Sequence, residues 1–118
     1  MAYKVAVASS DGKVINQHFG RATQFLIFDI EDESFKFSKL IETAPFCSNG
    51  EHDDTKLSLA TESLVGCRAV LVTQIGNGAI EALERKGIEA FDIKGLIDDA
   101  LNKIILYYSK YDGGNLYG

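Results

Sequence analysis

Four residues in this chain can ligate a soft or borderline metal: His18, Cys47, His52 and Cys67. Thiolate and imidazole suit zinc or the iron and molybdenum sites of a metal-sulfur cluster, whereas carboxylates suit hard ions. Cys47 and His52 stand either side of Ser48-Asn49-Gly50 in a C-x4-H spacing, which lets both side chains turn toward one cation or cluster. The plainer reading of that pair is an exposed loop with an incidental thiol. His18 lies in Gln17-His18-Phe19-Gly20, where glycine permits a tight return that leaves the imidazole near a sheet end. Its plain alternative is a solvated loop histidine. Cys67 directly precedes an apolar run and reads as a small packed core residue. A reducing compartment makes a disulfide between the two cysteines a minor alternative.

A second kind of chemistry is anion binding. Ile75-Gly76-Asn77-Gly78-Ala79 follows an apolar run and opens a helical one, so free backbone N–H groups meet the positive end of a helix dipole there. The segment lacks the lysine and serine or threonine of a P-loop. Its structural alternative is a glycine turn that lets strand and helix pack closely. Arg21, near His18, can clamp an anionic ligand. Asp11, Asp29 and Asp92 fall near strand ends, where they either gather a hard divalent ion for hydrolysis or simply cap turns. No serine sits in a G-x-S-x-G elbow, and no acid-base dyad stands out.

These groups need elements to hold them. Tyr3 to Ala8 is a buried strand that stops at the turn formers Ser9-Ser10-Asp11-Gly12. Phe25 to Ile30 and Phe35 to Ile41 form a hairpin over Glu31-Asp32-Glu33-Ser34. In its second arm the alternation assigns Phe35, Phe37 and Lys39 to one face. Thr43 to Thr55 reads as an exposed loop. A helix starting near Leu57 and stopped by Gly66 leads to a strand over Arg68 to Thr73. A helix over Gly76 to Lys86, a strand over Ile88 to Asp92 and a last helix over Gly95 to Tyr108 follow. This βαβ rhythm predicts a mixed sheet, with parallel strands near Tyr3, Arg68 and Ile88, an antiparallel edge from the hairpin, and helices on both faces.

The 118 residues fit one domain, expected over 1–110, with 111–118 as a flexible tail. With 46% hydrophobic and 25% charged residues the chain has the balance of a globular protein with a real core. Lys and Arg number 12 against 17 Asp and Glu, giving a net charge of -5, which argues against nucleic acid or an anionic membrane as partner. No apolar run approaches the ~20 residues that span a bilayer, and no signal segment opens the sequence. The expected location is the cytoplasm.

The run Asp11-Gly12-Lys13-Val14, then His18-Phe19-Gly20-Arg21-Ala22 and Phe25, resembles a known pattern. So does Gly66-Cys67-Arg68-Ala69-Val70-Leu71-Val72 leading to Ile75-Gly76-Asn77-Gly78-Ala79. The pattern is that of the dinitrogenase iron-molybdenum cofactor biosynthesis family, the NifX, NafY and NifB C-terminal type of domain. The resemblance runs from about Tyr3 to Tyr108. It implies a ribonuclease-H-like three-layer α/β/α fold with a mixed, mainly parallel five-stranded sheet. It implies a non-enzymatic role in nitrogen fixation or a related metal pathway: binding iron-molybdenum cofactor or an iron-sulfur precursor cluster and passing it between donor and acceptor proteins, as a monomer or weak dimer. The motif histidine corresponds to His18, and the loop from Cys47 to His52 lies where further ligands can be added. No radical-SAM segment with clustered cysteines is present, so cluster synthesis is not implied. The expected metal ligands are therefore His18, Cys47 and His52, with Arg21, Gly76, Asn77 and Gly78 contacting the cofactor. The competing readings are a magnesium-dependent hydrolase built on Asp11, Asp29 and Asp92, and a regulatory module binding zinc or a phosphate.

Overall fold

The computed structural model describes residues 2–43, 47–48, 51–52 and 54–117, with side chains over 2–43 and 57–110. Along the chain come β1 (Ala2–Ala8), β2 (Val14–Ile15), a 3-10 turn (Phe19–Arg21), β3 (Gln24–Glu31), β4 (Ser34–Glu42), β5 (Cys47–Ser48) and β6 (Glu51–His52). Then follow α1 (Asp54–Ser63), β7 (Cys67–Val72), α2 (Asn77–Glu84), β8 (Glu89–Asp92), β9 (Gly95–Leu96) and α3 (Ile97–Tyr117).

Val5 to Ala8 are buried without exception, the signature of a strand covered on both faces. Accordingly β1 lies at the centre of a five-stranded sheet of order β4-β3-β1-β7-β8. It pairs antiparallel with β3 and parallel with β7; β3 and β4 are antiparallel, and β7 and β8 parallel. Only β3 therefore runs against the other four. The two-residue periodicity of a strand splits the core cleanly. Ala6 and Ala8 face α1 and α2, packing with Ala60, Leu64, Ala79 and Leu83. Val5 and Val7 face α3, packing with Ile97, Leu101, Ile104 and Tyr108. The result is a mixed sheet between two helical layers, with the parallel strands and the antiparallel hairpin edge that the βαβ rhythm predicts.

The hairpin differs from its expected pattern in one respect. Phe28 pairs with Phe37, while Ile27 pairs with Lys39, so Ser38 is an extra residue in a bulge. The bulge resets the alternation: Leu40, opposite Leu26, joins Phe35 and Phe37 on the α3 face, and Lys39 goes to the other. The turn between the strands puts Asp32 at φ 55, a left-handed conformation that a short polar side chain tolerates. Within the segment read as an exposed loop, β5 and β6 pair as a short antiparallel ladder. Residues 44–46, 49–50 and 53 of that segment lie outside the described ones. So do the side chains from 111 onward and residue 118, while the backbone of 111–117, expected as part of a tail, is the last stretch of α3.

Leu101 is completely buried at the centre of the α3 layer. Leu101→Ala is expected to lower the unfolding free energy by about 3 kcal/mol, because the rigid sheet cannot collapse into the space left behind. Urea denaturation of the two proteins checks this value.

Candidate functional site

Because β1, β7 and β8 run the same way, their C-terminal ends lie at one pole of the sheet. Two connections meet there. Thr73 N–H donates to Gln17 O at 3.1 Å, and Phe19 N–H donates to Gln74 O at 2.9 Å. These bonds bracket His18, so its backbone runs directly beside the segment that leads from β7 into α2. Phe19 anchors the junction: it is 1% exposed and packs against Phe25 with ring centroids 5.6 Å apart. Arg21 N–H closes the turn onto His18 O at 3.1 Å. His18 itself is partly buried, and Arg21 is exposed.

Across this junction stands the start of α2. Gly76 caps the helix and, having no side chain, offers no side-chain acceptor to the first-turn N–H groups. Gly76, Asn77 and Gly78 are exposed. A Cβ at Gly76 or Gly78 would meet nothing within 4 Å, and neither residue has a positive φ. Close strand-helix packing, one expectation for this turn, is thus not why these glycines are present; the backbone there is open to approach.

The short ladder brings in the remaining soft ligands. Cys47 and His52 are Cα partners across β5 and β6. Strand β5 lies against the Phe19–Arg21 turn, with Cα atoms within 8 Å. The backbone thus brings the chain at His18, Arg21, Cys47 and His52 to the pole that also carries Gly76 to Gly78. The side chains of Cys47 and His52 lie outside the described ones. Among the described residues no three His, Cys, Asp or Glu form a group able to hold a metal ion.

The other candidates go elsewhere. Asp29 pairs with Lys4 at 3.3 Å, and Lys4 is at the opposite end of β1 from Asp11. Four residue steps of about 3.3 Å each lead from Lys4 to Ala8, so Asp29 cannot share a cation with Asp11 and Asp92. Cys67 starts β7 at that same far pole and is buried, as expected of a core thiol; burial raises its pKa. Asp11 serves its own turn. Its Oδ1 accepts from Lys13 N–H at 2.8 Å and Val14 N–H at 3.1 Å, and these backbone bonds hold its carboxyl below the usual range. The pole also uses residues that local sequence patterns do not mark: Gln17, Thr23, Thr73 and Gln74 act through hydrogen bonds between distant segments. Phe19, a lone aromatic in a polar stretch, is the one such residue with a sequence signal.

Sheet order and loop placement define a small three-layer α/β domain with its open backbone and borderline-ligand segments gathered at one sheet end. The family model for dinitrogenase iron-molybdenum cofactor matches residues 1–106. The chain is 39% identical over 103 residues to the FeMo cofactor biosynthesis protein NifB of Frankia alni, covering 85% of this chain and 20% of that protein. It is 31% identical over 90 residues to protein NifX of Azotobacter vinelandii, covering 76% of this chain and 56% of NifX. The crystal structure of PH0822 superposes with a TM-score of 0.65 at 30% identity, covering 86% of this chain and 88% of that one. This chain belongs to the dinitrogenase iron-molybdenum cofactor biosynthesis family. It spans about a fifth of the NifB relative's length and a little over half of NifX.

The Asp11 turn yields a pH signature. A carboxyl held below its ordinary range contributes stability that is complete above that range and lost as the pH falls through the depressed value. Asp11→Ala is therefore expected to be less stable than the parent at neutral pH, with the gap closing toward acid. Thermal melts of both proteins from about pH 7 to about pH 2 test the sign; a gap that widens in acid contradicts it.

Proposed function

We propose that this chain is a carrier for iron-molybdenum cofactor or an iron-sulfur precursor of it, taking the cluster from one assembly protein and releasing it to another. His18, Cys47 and His52 supply imidazole and thiolate to exposed metal atoms of the cargo. Arg21 and the N–H groups around Gly76, Asn77 and Gly78 hydrogen-bond its anionic periphery. So few protein ligands keep the cargo exchangeable, and the chain changes no bond in it. The observation that carries this reading is the bracketing of His18 by the bonds to Thr73 and Gln74, which tie a borderline ligand to an open helix start. Membership of the cofactor biosynthesis family supports it.

The same proposal covers the setting. Partners are cluster donors and acceptors rather than nucleic acid or membrane, in keeping with a net charge of -5 and with no helix among the described residues long and apolar enough to cross a membrane. The cytoplasm is the proposed location, and a monomer or weak dimer the proposed state. We also assign the fold to the ribonuclease-H-like class, on the strand order in which the reversed β3 lies between β4 and β1 and the parallel β7 and β8 extend the other side. The hydrolase reading lacks support, since Asp29 lies at the far pole.

Anaerobic titration with isolated iron-molybdenum cofactor should give a stoichiometric complex visible by absorption. His18→Ala and Cys47→Ala should each weaken it by about tenfold, the loss of one ligand from a small set. Unchanged affinity in both variants overturns the site. Elemental analysis of protein purified without oxygen addresses the zinc alternative: zinc without iron and sulfide favours a regulatory ion site.

A further inference from the structure

We propose that the cleft at the far pole, lined by Arg68, Gly87, Glu89, Tyr107 and Tyr108, binds a neutral planar heterocycle through an amino-oxo edge, the edge that guanine and pterins share. The cleft lies at the other end of the sheet from His18 and is independent of the carrier reading. Its volume is about 220 Å³, below the ~300 Å³ at which pockets for whole drug-sized ligands begin, so it suits one ring system with any sugar or chain left in solvent.

The local chain builds this cleft. Where β1 pairs with β7, Lys4 stands opposite Cys67 and Val5 opposite Ala69, which leaves Arg68 as an extra residue in a bulge. A regular ladder would send Arg68 to the face opposite that of Ala69. The bulge turns it instead to the α3 face, where its guanidinium carbon lies 3.7 Å from the ring centre of Tyr108 and 5.1 Å from that of Tyr3. Glu89 pairs with Ala69 and shares that face; its Oε1 accepts from the Tyr108 hydroxyl at 2.8 Å. One buried tyrosine thus holds a cation by its ring and an anion by its hydroxyl, on neighbouring strands. Tyr107 forms an outer wall at 45% exposure, braced edge-on by Phe91 and Tyr108 with ring centroids 5.6 and 5.2 Å away. Gly87, left-handed at φ 77, places no side chain at the rim.

These groups select the ligand. A free phosphate meets the Glu89 carboxylate and a simple amine meets the Arg68 guanidinium, so either single charge is opposed at short range. A neutral ring with donors beside acceptors suits both. A guanidinium stacked by its face keeps its N–H donors in its own plane, where they reach a ring carbonyl. The Glu89 carboxylate has lone pairs beyond the one that Tyr108 uses, and these accept the adjacent ring N–H and amino group. The exposed side of Tyr107 takes the flat face of the ring, a contact that aromatic side chains make with any base.

The test is calorimetric titration of the full chain with guanosine and with neopterin, combined with NMR of the tyrosine ring protons. The expected result is a one-to-one complex with at least one of the two and a shift of the Tyr107 ring signals; the tighter binder identifies the source of the ring. Inosine, which lacks the amino group, should bind about tenfold more weakly than guanosine, and adenosine, which lacks the oxo group, should not bind. Glu89→Gln still accepts the Tyr108 hydroxyl but exchanges its second acceptor for a donor, and Tyr107→Ala removes the stacking wall. Each should weaken the complex by about tenfold. No complex with either probe, or inosine bound as tightly as guanosine, overturns the proposal. So does parental affinity in both variants. If Tyr107→Ala fails to fold, Tyr107→Leu, which keeps apolar packing without the ring, replaces it with the same expected loss.

Discussion

The two backbone hydrogen bonds between residues 17–19 and residues 73–74 are the constraint on which this pole of the molecule depends. They join a loop that leaves the β1 side of the sheet to the loop that enters α2, segments more than fifty positions apart in sequence. Because they are main-chain bonds, they fix where His18 and Gly76 run irrespective of side-chain type. Their direction follows from the parallel pairing of β1 and β7, which brings both strand ends to the same level. Ligand positions on loops are normally mobile, and a rigid sheet edge is the usual means of holding them. Phe19, sealed against Phe25, completes the arrangement by making separation of the two loops cost buried apolar surface.

The opposite pole is built for stability instead. Arg68 lies over the ring of Tyr108 at 3.7 Å and near that of Tyr3 at 5.1 Å, and Tyr108 donates its hydroxyl to Glu89 at 2.8 Å. Burial and the neighbouring carboxylate push the Tyr108 phenol well above its ordinary pKa, so it stays a donor at every physiological pH. This stack pins the far end of the α3 packing face onto the starts of β7 and β8. Cys67 belongs to the same region as a packed thiol. Segregating a firmly stacked aromatic end from a polar, loop-built end allows the latter to remain open without loss of the core.

Much of this was readable from residue patterns, and the exceptions have physical causes. Continuous apolar residues marked β1 and β7 as strands, and Gly12, Gly66 and Gly87, all at positive φ, ended their elements where turn chemistry requires. The face reversal in β4 was not readable, because a bulge at Ser38 is set by pairing with β3 and leaves no local mark. For Gly76 and Gly78, composition alone cannot separate a close-packed glycine from an open one; only the surrounding space decides. His18 stood out as one of few borderline ligands, but its bracketing partners did not. Thr73 and Gln74 are ordinary polar residues whose roles arise from strand register.

The bulge also bears on how such a domain exists within chains of very different length, since it corresponds to about a fifth of NifB and over half of NifX. A domain joined to others must not pair its sheet edges with them. Strand β4 is such an edge, with Phe37 51% and Leu40 44% exposed, and a regular ladder there would invite addition of another strand. Ser38 breaks the regularity, and Lys36 and Lys39 flank it with charge that a neighbouring strand would have to desolvate. The α3 face thereby keeps its partly exposed apolar residues without presenting a straight template. The pole that carries His18 and Gly76 is formed by loops rather than by either edge, so guarding the edges leaves the approach to it unobstructed.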